Sequence, residues 1–260
     1  MIQLRPIKAK LQRWLSGEHV VFHHLPKSGG TSIKRALHLA YPFSFTAFGS
    51  VPAYRAMEIM FPANDENFIV QQIRDFREKQ LLTFMFQDIR CIAGHVEFSN
   101  KAYDTFHERY KFVTTLREPV ASLISAYYYD LRNPHDRWRK DLSLEGYLDT
   151  PRAIQFASSY ATFFNGLPSD GDSTSRESVE AAKANLRKFT VVGLVEDMPG
   201  FERRLREVLR VRLRIGRHNA AKVSSSERLN AIAPQLRRRL EEMSAVNTEI
   251  YEFARRELHR

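Results

Sequence analysis

A three-layered α/β fold, with a central and mostly parallel sheet flanked by helices, is predicted from the order of patterns along the chain. Four short runs rich in Val, Ile, Phe and Thr alternate with segments of helical apolar periodicity. Strands that alternate with helices are typical of a parallel sheet covered on both faces. The chain has 260 residues and is 43% hydrophobic, enough for one continuous core. We therefore predict a single domain over residues 1–260.

The predicted strands are short and bounded by polar or turn residues, and they cover residues 19–25, 89–93, 111–116 and 189–195. Apolar periodicity predicts a helix after the first strand, over residues 33–40, and another after the last strand, over residues 201–213. A long C-terminal helix is predicted over residues 229–253 on the same grounds.

Residues 42–88 are aromatic-rich, weakly patterned and interrupted by prolines. We expect this segment to be an insertion of helices and loops over the carboxyl edge of the sheet. Residues 1–17 are basic but lack the apolar core of a secretory signal, and no run of about 20 apolar residues occurs in the chain. The one cysteine, Cys91, excludes an intramolecular disulfide and a cysteine-built zinc site. A cytoplasmic protein without a transmembrane segment is expected.

The net charge of +10 favours polyanionic partners, but it does not distinguish nucleic acid, anionic lipid, phosphorylated cofactors and acidic polysaccharide. A basic surface that only aids solubility is the alternative. Four arginines are expected on roughly one face of a helix over residues 201–214, where they could be solvated, hold an acidic acceptor or contact a membrane surface. They are Arg203, Arg206, Arg210 and Arg214.

The strongest local signal is a candidate phosphate loop between the first strand and its helix. Paired glycines let backbone N–H groups converge on an anion, the helix N-terminus adds positive potential, and a lysine supplies a charge. Because the lysine precedes the glycines, this is not the P-loop of nucleoside triphosphatases. The alternative is an ordinary turn in which Ser and Thr cap the helix. The candidate anion-binding residues are Pro26, Lys27, Ser28, Gly29, Gly30, Thr31 and Ser32.

A second candidate anion site follows the third predicted strand. Arg117 stands at the strand end, where a guanidinium can bind a phosphate through two hydrogen bonds. Pro119 suits the first turn of a helix, and Ser125 lies about two turns further along it.

Together these two segments resemble the sulfotransferases that use 3′-phosphoadenosine 5′-phosphosulfate (PAPS) as donor. The resemblance implies a sulfotransferase fold related to the P-loop nucleoside triphosphatases. It also implies that residues 26–32 hold the 5′-phosphosulfate, that Arg117 and Ser125 grip the 3′-phosphate, and that Arg217 and Lys222 contact the nucleotide.

One branch of that family is matched further. The sequences Gly94-His95-Val96-Glu97-Phe98 and Tyr127-Tyr128-Tyr129-Asp130-Leu131-Arg132 resemble the heparan sulfate and uronyl 2-O-sulfotransferases. The resemblance implies that His95 is the catalytic base and that residues 42–88, which show no match, lie on the acceptor side. Ala93 occupies the position where the branch often has a second histidine, so a two-histidine arrangement is not expected. We also expect neither the membrane anchor nor the disulfides of that branch.

Sulfuryl transfer by this mechanism needs a cation near the leaving phosphate oxygen and a base for the acceptor hydroxyl. We assign the first role to Lys27, with Ser28 as a modulator, and the second to His95, whose imidazole ordinarily titrates near neutral pH. His24 is expected closer to this site than His23, because the two alternate along a strand. No metal is expected, and Glu196 with Asp197 is interpreted as the acidic start of a helix.

The predicted function is therefore transfer of a sulfuryl group from PAPS to a hydroxyl of a carbohydrate, including an acidic glycan, with no specific nucleic-acid partner. A protein tyrosine or a small phenol remains open as acceptor. The alternatives are a phosphotransferase with an atypical phosphate loop and a non-catalytic module that binds polyanions.

Overall fold

The computed structural model describes residues 17–62, 65–133, 141–167, 172–216 and 225–259. Within this part of the chain five strands form one sheet in the order β2-β3-β1-β4-β5, and every neighbouring pair is parallel. The strands are β1 (His19–His23), β2 (Phe45–Ala47), β3 (Cys91–Gly94), β4 (Tyr110–Leu116) and β5 (Val191–Leu194). The α/β prediction is confirmed, and the sheet is parallel throughout its described strands.

Helices connect the strands and cover the sheet. They are α1 (Gly30–Ala40), α2 (Ser50–Met60), α3 (Glu66–Phe86), α4 (Asn100–Phe106), α5 (Pro119–Leu131), α6 (Leu144–Leu148), α7 (Pro151–Ala157), α8 (Ser159–Phe164), α9 (Arg176–Leu186), α10 (Met198–Leu209), α11 (Ser225–Asn230), α12 (Pro234–Met243) and α13 (Ala245–Glu257).

Each face of the sheet packs against its own set of helices, because successive strand residues point to opposite sides. Val20 and Phe22 of β1 belong to one apolar cluster, with α1 and α10, whereas Val21 belongs to the other, with α3, α4, α8, α9 and α13. A further cluster joins α5 to α6, α7 and α12. Two helical layers therefore enclose the sheet, as the three-layer prediction requires.

Strand β2 was not predicted, since it lies within residues 42–88, where we expected helices and loops. Its three residues pair with Cys91, Ile92 and Ala93 of β3. A strand of three residues is too short to show the alternating pattern by which strands are recognised. The rest of the insertion does form helices, α2 and α3.

The predicted long C-terminal helix is wrong, because α11, α12 and α13 divide it. Pro234 opens α12, as proline suits the first helical turn and cannot continue a preceding helix, and Ser244 separates α12 from α13. The helix predicted over residues 201–213 ends at Leu209, where Arg210 adopts a left-handed conformation (φ 54°). Arg210 and Arg214 lie beyond the helix end, so the four arginines do not share one helical face.

In the described part of the chain, no helix is both long enough and apolar enough to cross a membrane.

Candidate active site

The carboxyl ends of β1, β3 and β4 bring the main candidate residues to one edge of the sheet. His23 of β1 pairs with Gly94 of β3 and with Thr114 of β4, so the three strands end at the same level. The loop that contains Lys27 follows β1, His95 follows β3, and Arg117 follows β4. Ligands of open parallel sheets bind at this edge, which makes it the candidate active site.

Buried hydrogen bonds stabilise the conformation of the phosphate loop. Lys27 and Gly29 both have positive φ, 65° and 77°. Ser28 is fully buried, and its hydroxyl donates to the Leu25 carbonyl at 2.6 Å. The Thr115 hydroxyl of β4 donates to the Ser28 carbonyl at 2.9 Å. The side chain of Ser28 thus supports the turn and leaves the upper surface of the loop to backbone groups.

Helix α1 begins at Gly30, with Gly29 as its N-cap and no side-chain capping bond. The interpretation that Thr31 and Ser32 cap this helix is therefore wrong, because both lie inside its first turn. The N–H groups of Gly30 and Thr31 have no acceptor within the helix, as is general for a first turn. Gly29 is exposed and carries no Cβ to cover these donors. The loop and first turn therefore fit a phosphate or sulfate group, which such N–H groups bind.

Lys27 is directed toward helix α5. Its ammonium lies 3.9 Å from the ring centroid of Tyr129, a cation–π contact. Burial, followed by the charge of Arg117, lowers the pKa of Lys27 to about 8, and Asp130 opposes this shift. Lys27 is thus mostly protonated at neutral pH and close to losing its proton above it.

Asp130 is the fully buried carboxylate behind this lysine. Its oxygens accept hydrogen bonds from the Tyr147 hydroxyl at 2.9 Å and from Nη2 of Arg152 at 2.8 Å, and Nε of Arg152 also donates to it. The carboxylate is therefore compensated chiefly by Arg152, and it contributes an electrostatic attraction to Lys27.

His95 is held by a backbone carbonyl. Its Nδ1 donates to the His24 carbonyl at 2.7 Å, so Nδ1 carries the proton and Nε2 has the free lone pair. Burial lowers the pKa of His95 to about 4; the bond to His24 opposes this, and the charges of Arg77, Lys34 and Lys27 add to it. The expectation that His95 titrates near neutral pH is thus wrong for the free protein. The ring is neutral at pH 7, which is the state that a base needs.

His23 and His24, at the end of β1, lie in different surroundings, as predicted. His24 stacks on His95 with ring centroids 4.2 Å apart. His23 is fully buried on the opposite side, beside Phe98, Phe112 and Phe189, and its Nδ1 donates to the Val96 carbonyl at 2.9 Å. The prediction that His24 lies closer to the site is confirmed. The histidine that lies beside His95 is thus His24 of the neighbouring strand segment, and position 93, where the resembled branch often has a second histidine, is Ala.

Arg117 contacts the loop itself. Its Nη1 donates to the Lys27 carbonyl at 3.1 Å, and its backbone carbonyl accepts from the Tyr160 hydroxyl. Burial lowers the pKa of Arg117, whereas the charge of Glu196 raises it. The guanidinium therefore steadies the left-handed turn at Lys27 and lies beside the loop that would hold an anion.

Helix α5 starts where the sequence predicts. Pro119 is its first residue, and the Glu118 carboxylate caps it by accepting from the N–H groups of Val120 and Ala121 at 3.0 and 2.7 Å. Ser125 lies two turns along this helix and is partly buried. The contacts of the described residues do not join Ser125 to Arg117 or to the loop, so its role stays a prediction. Arg217 and Lys222 lie outside the described residues.

Glu196 is a site residue that sequence reasoning missed. Its two carboxylate oxygens accept from the Glu118 N–H at 2.9 Å and from the Tyr251 hydroxyl at 3.1 Å. It thereby links the end of β5 and helix α13 to the segment that carries Arg117. Asp197 caps α10 by accepting from the Gly200 N–H at 3.0 Å, which confirms the helix-start interpretation for that residue.

Arg77 and Lys34 were also missed, and both carry positive charge toward His95. Arg77 belongs to α3, within the insertion, and its Nη2 lies 3.4 Å from the Ser50 hydroxyl. Its buried Nε has no hydrogen-bond partner among the described residues. The nearby Glu97 carboxylate is bonded to Nε of Arg74 at 2.9 Å. A pattern of Arg74 and Arg77 on one helix was the only signal available, and it is common on solvated helices.

Among the residues that the structure describes, no three His, Cys, Asp or Glu side chains are grouped as metal ligands. Neither a scan against protein-family models nor a search of curated proteins finds a match for this chain.

Proposed function

We propose that this chain is a PAPS-dependent O-sulfotransferase that transfers a sulfuryl group to a hydroxyl of a carbohydrate. The observation that carries the proposal is the convergence of three groups at one edge of the sheet. The loop that contains Lys27, a neutral histidine with a free Nε2, and Arg117 follow three neighbouring strands.

In the proposed reaction His95 accepts the proton of the acceptor hydroxyl at Nε2 while the acceptor oxygen attacks sulfur in line. The bond between sulfur and the bridging phosphate oxygen breaks, and 3′-phosphoadenosine 5′-phosphate leaves. Lys27 and the N–H groups of Gly30 and Thr31 stabilise the charge that develops on the leaving oxygen. The Nδ1–H bond to the His24 carbonyl keeps the imidazole oriented throughout.

Burial is the main cause of the low pKa of His95 in the free protein, and the charges of Arg77, Lys34 and Lys27 lower it further. Negative charges brought by the donor and the acceptor would offset these three cations and raise the pKa of His95 in the working complex. Arg77, with a buried Nε that lacks a partner among the described residues, is the group we propose for an acidic substituent of the acceptor. An acidic glycan is therefore the preferred acceptor class.

The cytoplasm is the proposed compartment, since the one cysteine, Cys91, is a buried free thiol and disulfides are rare there.

The deciding experiment is calorimetric titration of the protein with 3′-phosphoadenosine 5′-phosphate and with ATP, each with and without magnesium. We expect metal-independent preference for the bisphosphate, weakened about 10- to 100-fold by Lys27→Ala, because a charged contact to phosphate is worth roughly 1.5–3 kcal/mol. Lys79→Ala, at an exposed position on α3, is the matched control and should bind as wild type. Preference for magnesium–ATP would favour a phosphotransferase, and absence of nucleotide binding would leave a polyanion-binding module.

Transfer is then assayed with labelled PAPS and two sets of glycans, acidic and neutral. His95→Ala should retain bisphosphate binding and lose transfer. Equal transfer to both sets would overturn the role proposed for Arg77, and an active His95→Ala variant would overturn the histidine-base mechanism.

A further inference from the structure

His24 occupies the junction between the phosphate loop and His95. It is the first residue after β1, and its N–H donates to the Gly94 carbonyl at 2.9 Å, which continues the pairing of β1 with β3. Only 8% of the residue is exposed. The backbone on which the ring is mounted is thus fixed by the sheet.

His24 holds His95 by two independent contacts. The His24 carbonyl accepts the proton of His95 Nδ1, and the two rings stack at 4.2 Å with an interplanar angle of 27°. The hydrogen bond selects the tautomer of His95, and the stack restricts the rotation of its ring about the last side-chain bond.

The His24 ring also lies against the start of α1. A Cβ added to Gly30 would lie 1.8 Å from Cδ2 and 1.9 Å from Nε2 of the His24 ring, closer than atoms can approach. The second glycine of the loop is therefore required for the His24 ring as well as for the approach of an anion. A side chain at position 30 would force that ring away from the loop, and His95 stacks on it.

We propose that His24 is a positioning residue, which holds the His95 ring with Nε2 free and makes that arrangement depend on the phosphate loop through Gly30. The catalytic meaning of this role rests on the proposed function. The charged groups that face the pair are Lys27 from the loop, Lys34 from α1 and Arg77 from α3. Burial, with further contributions from His95 and the two lysines, keeps the pKa of His24 well below its ordinary value. A neutral ring can stay stacked when His95 takes up a proton.

The test uses the full chain labelled with ¹⁵N-histidine, in which long-range ¹H–¹⁵N spectra report the tautomer and the titration of each imidazole. His95→Gln identifies the His95 signals. We expect wild-type His95 to carry its proton on Nδ1. In His24→Leu, which fills the same space without an aromatic face, the carbonyl of residue 24 still selects the Nδ1–H tautomer of His95. We expect the His95 ring signals to shift and broaden in this variant, because the ring is no longer held by the stack.

His24→Phe restores a stacking ring without nitrogen atoms and should restore the wild-type His95 signals. Gly30→Ala should disturb the His95 signals as His24→Leu does. Gly146→Ala is the matched control, since a Cβ there would meet only Ser143 Oγ at 3.5 Å and a Leu142 side-chain atom at 4.0 Å, both ordinary contacts. The expected activity pattern is a loss of about 100-fold in kcat for His24→Leu with unchanged affinity for the bisphosphate.

Unchanged chemical shifts and line widths of the His95 ring signals in His24→Leu, or in a folded Gly30→Ala variant if His24→Leu does not fold, would overturn the role of His24. These spectra need neither donor nor acceptor. A wild-type chain that fails to bind the bisphosphate would overturn the sulfotransferase proposal by a separate measurement.

Discussion

Lys27 combines three features that are uncommon in one lysine. Its backbone is left-handed, its carbonyl accepts a hydrogen bond from Arg117, and its ammonium contacts the Tyr129 ring, where burial and then nearby cations make protonation costly. A lysine whose pKa lies near 8 is a cation that a modest rise in pH can remove. The property that suits Lys27 to an anion site therefore also makes that site sensitive to pH.

We predict that affinity for 3′-phosphoadenosine 5′-phosphate falls as pH rises through about 8, the pKa of Lys27 in the free protein. A bound anion favours the protonated lysine, so binding above this pH requires uptake of a proton. The affinity therefore falls until the pH exceeds the pKa of Lys27 in the complex. Calorimetry between pH 6.5 and 9.5 measures the effect.

Lys27→Arg is the control for this prediction, because a guanidinium keeps its charge over the whole range. Its affinity for the bisphosphate should be flat from pH 7.5 to 9.5. An equal fall in the arginine variant would assign the pH dependence to another group.

Site residues that follow a strand were easier to predict from the sequence than those on a helix. Lys27 and Arg117 were predicted because each stands at or just after the end of an apolar run, where a parallel sheet presents side chains to ligands, and the role of His95 was implied by the resemblance of residues 94–98 to one sulfotransferase branch. Arg77 could not be found in this way, since it projects from a helix in the segment with the weakest pattern. The stacking of His24 on His95 depends on the pairing of β1 with β3, and the residues concerned are separated by 71 positions in the chain.

At the scale of elements, α5 connects Arg117 to the cluster of Tyr129, Asp130 and Arg152. Its start was predictable from Pro119, whereas its polar end was not, because the partners of Asp130 belong to α6 and α7. Asp130 has no exposed surface, but 45% of the Arg152 side chain is exposed. The two partners of this ion pair should therefore respond differently to substitution.

We predict that Arg152→Met lowers the free energy of unfolding by roughly 3 kcal/mol, since it leaves a buried carboxylate without its cation. Asp130→Asn should cost about 1 kcal/mol, because Arg152 can turn to water and the amide oxygen still accepts from Tyr147. Urea denaturation followed by circular dichroism measures both. A larger loss for Asp130→Asn would contradict this account of the cluster.

The boundaries of the C-terminal helices show where periodicity misleads. Apolar positions from Leu229 to Phe253 fit one helix, and the break at Pro234 was visible in the sequence but was outweighed by that fit. Leu240 packs against α5, whereas Ile250 packs beneath the sheet, so the apolar positions serve two different cores. A pattern of apolar positions alone cannot reveal that the residues pack into two different cores.

At the scale of the whole molecule, buried histidines make the stability of the folded state depend on pH. His23 is fully buried among aromatic rings, and burial lowers its pKa to about 4. The unfolded chain takes up a proton on this residue near pH 6.5, whereas the folded chain does not until about pH 4. The folded state therefore loses stability as pH falls through that interval and regains it as pH rises.

We predict that His23 accounts for a loss of about 3 kcal/mol in unfolding free energy between pH 6.5 and 4. His23→Phe, which suits the surrounding rings, should reduce the loss of unfolding free energy between pH 6.5 and 4 by that amount. The loss that remains in this variant would come from His24 and His95. Urea denaturation at several pH values measures the slope. His107→Phe, at an exposed position, is the control, and an equal change in that variant would remove His23 as the cause.

The central position of β1 has a consequence for synthesis on the ribosome. Val20 pairs with Cys91 on one side and with Lys111 on the other, so β1 is translated before either neighbour exists. At roughly 5–20 residues per second, 71 residues correspond to a delay of about 4–14 s before its first partner is complete. During that time an apolar strand with both edges unpaired is open to aggregation. Chaperone demand should therefore be greatest for nascent chains that end before residue 116.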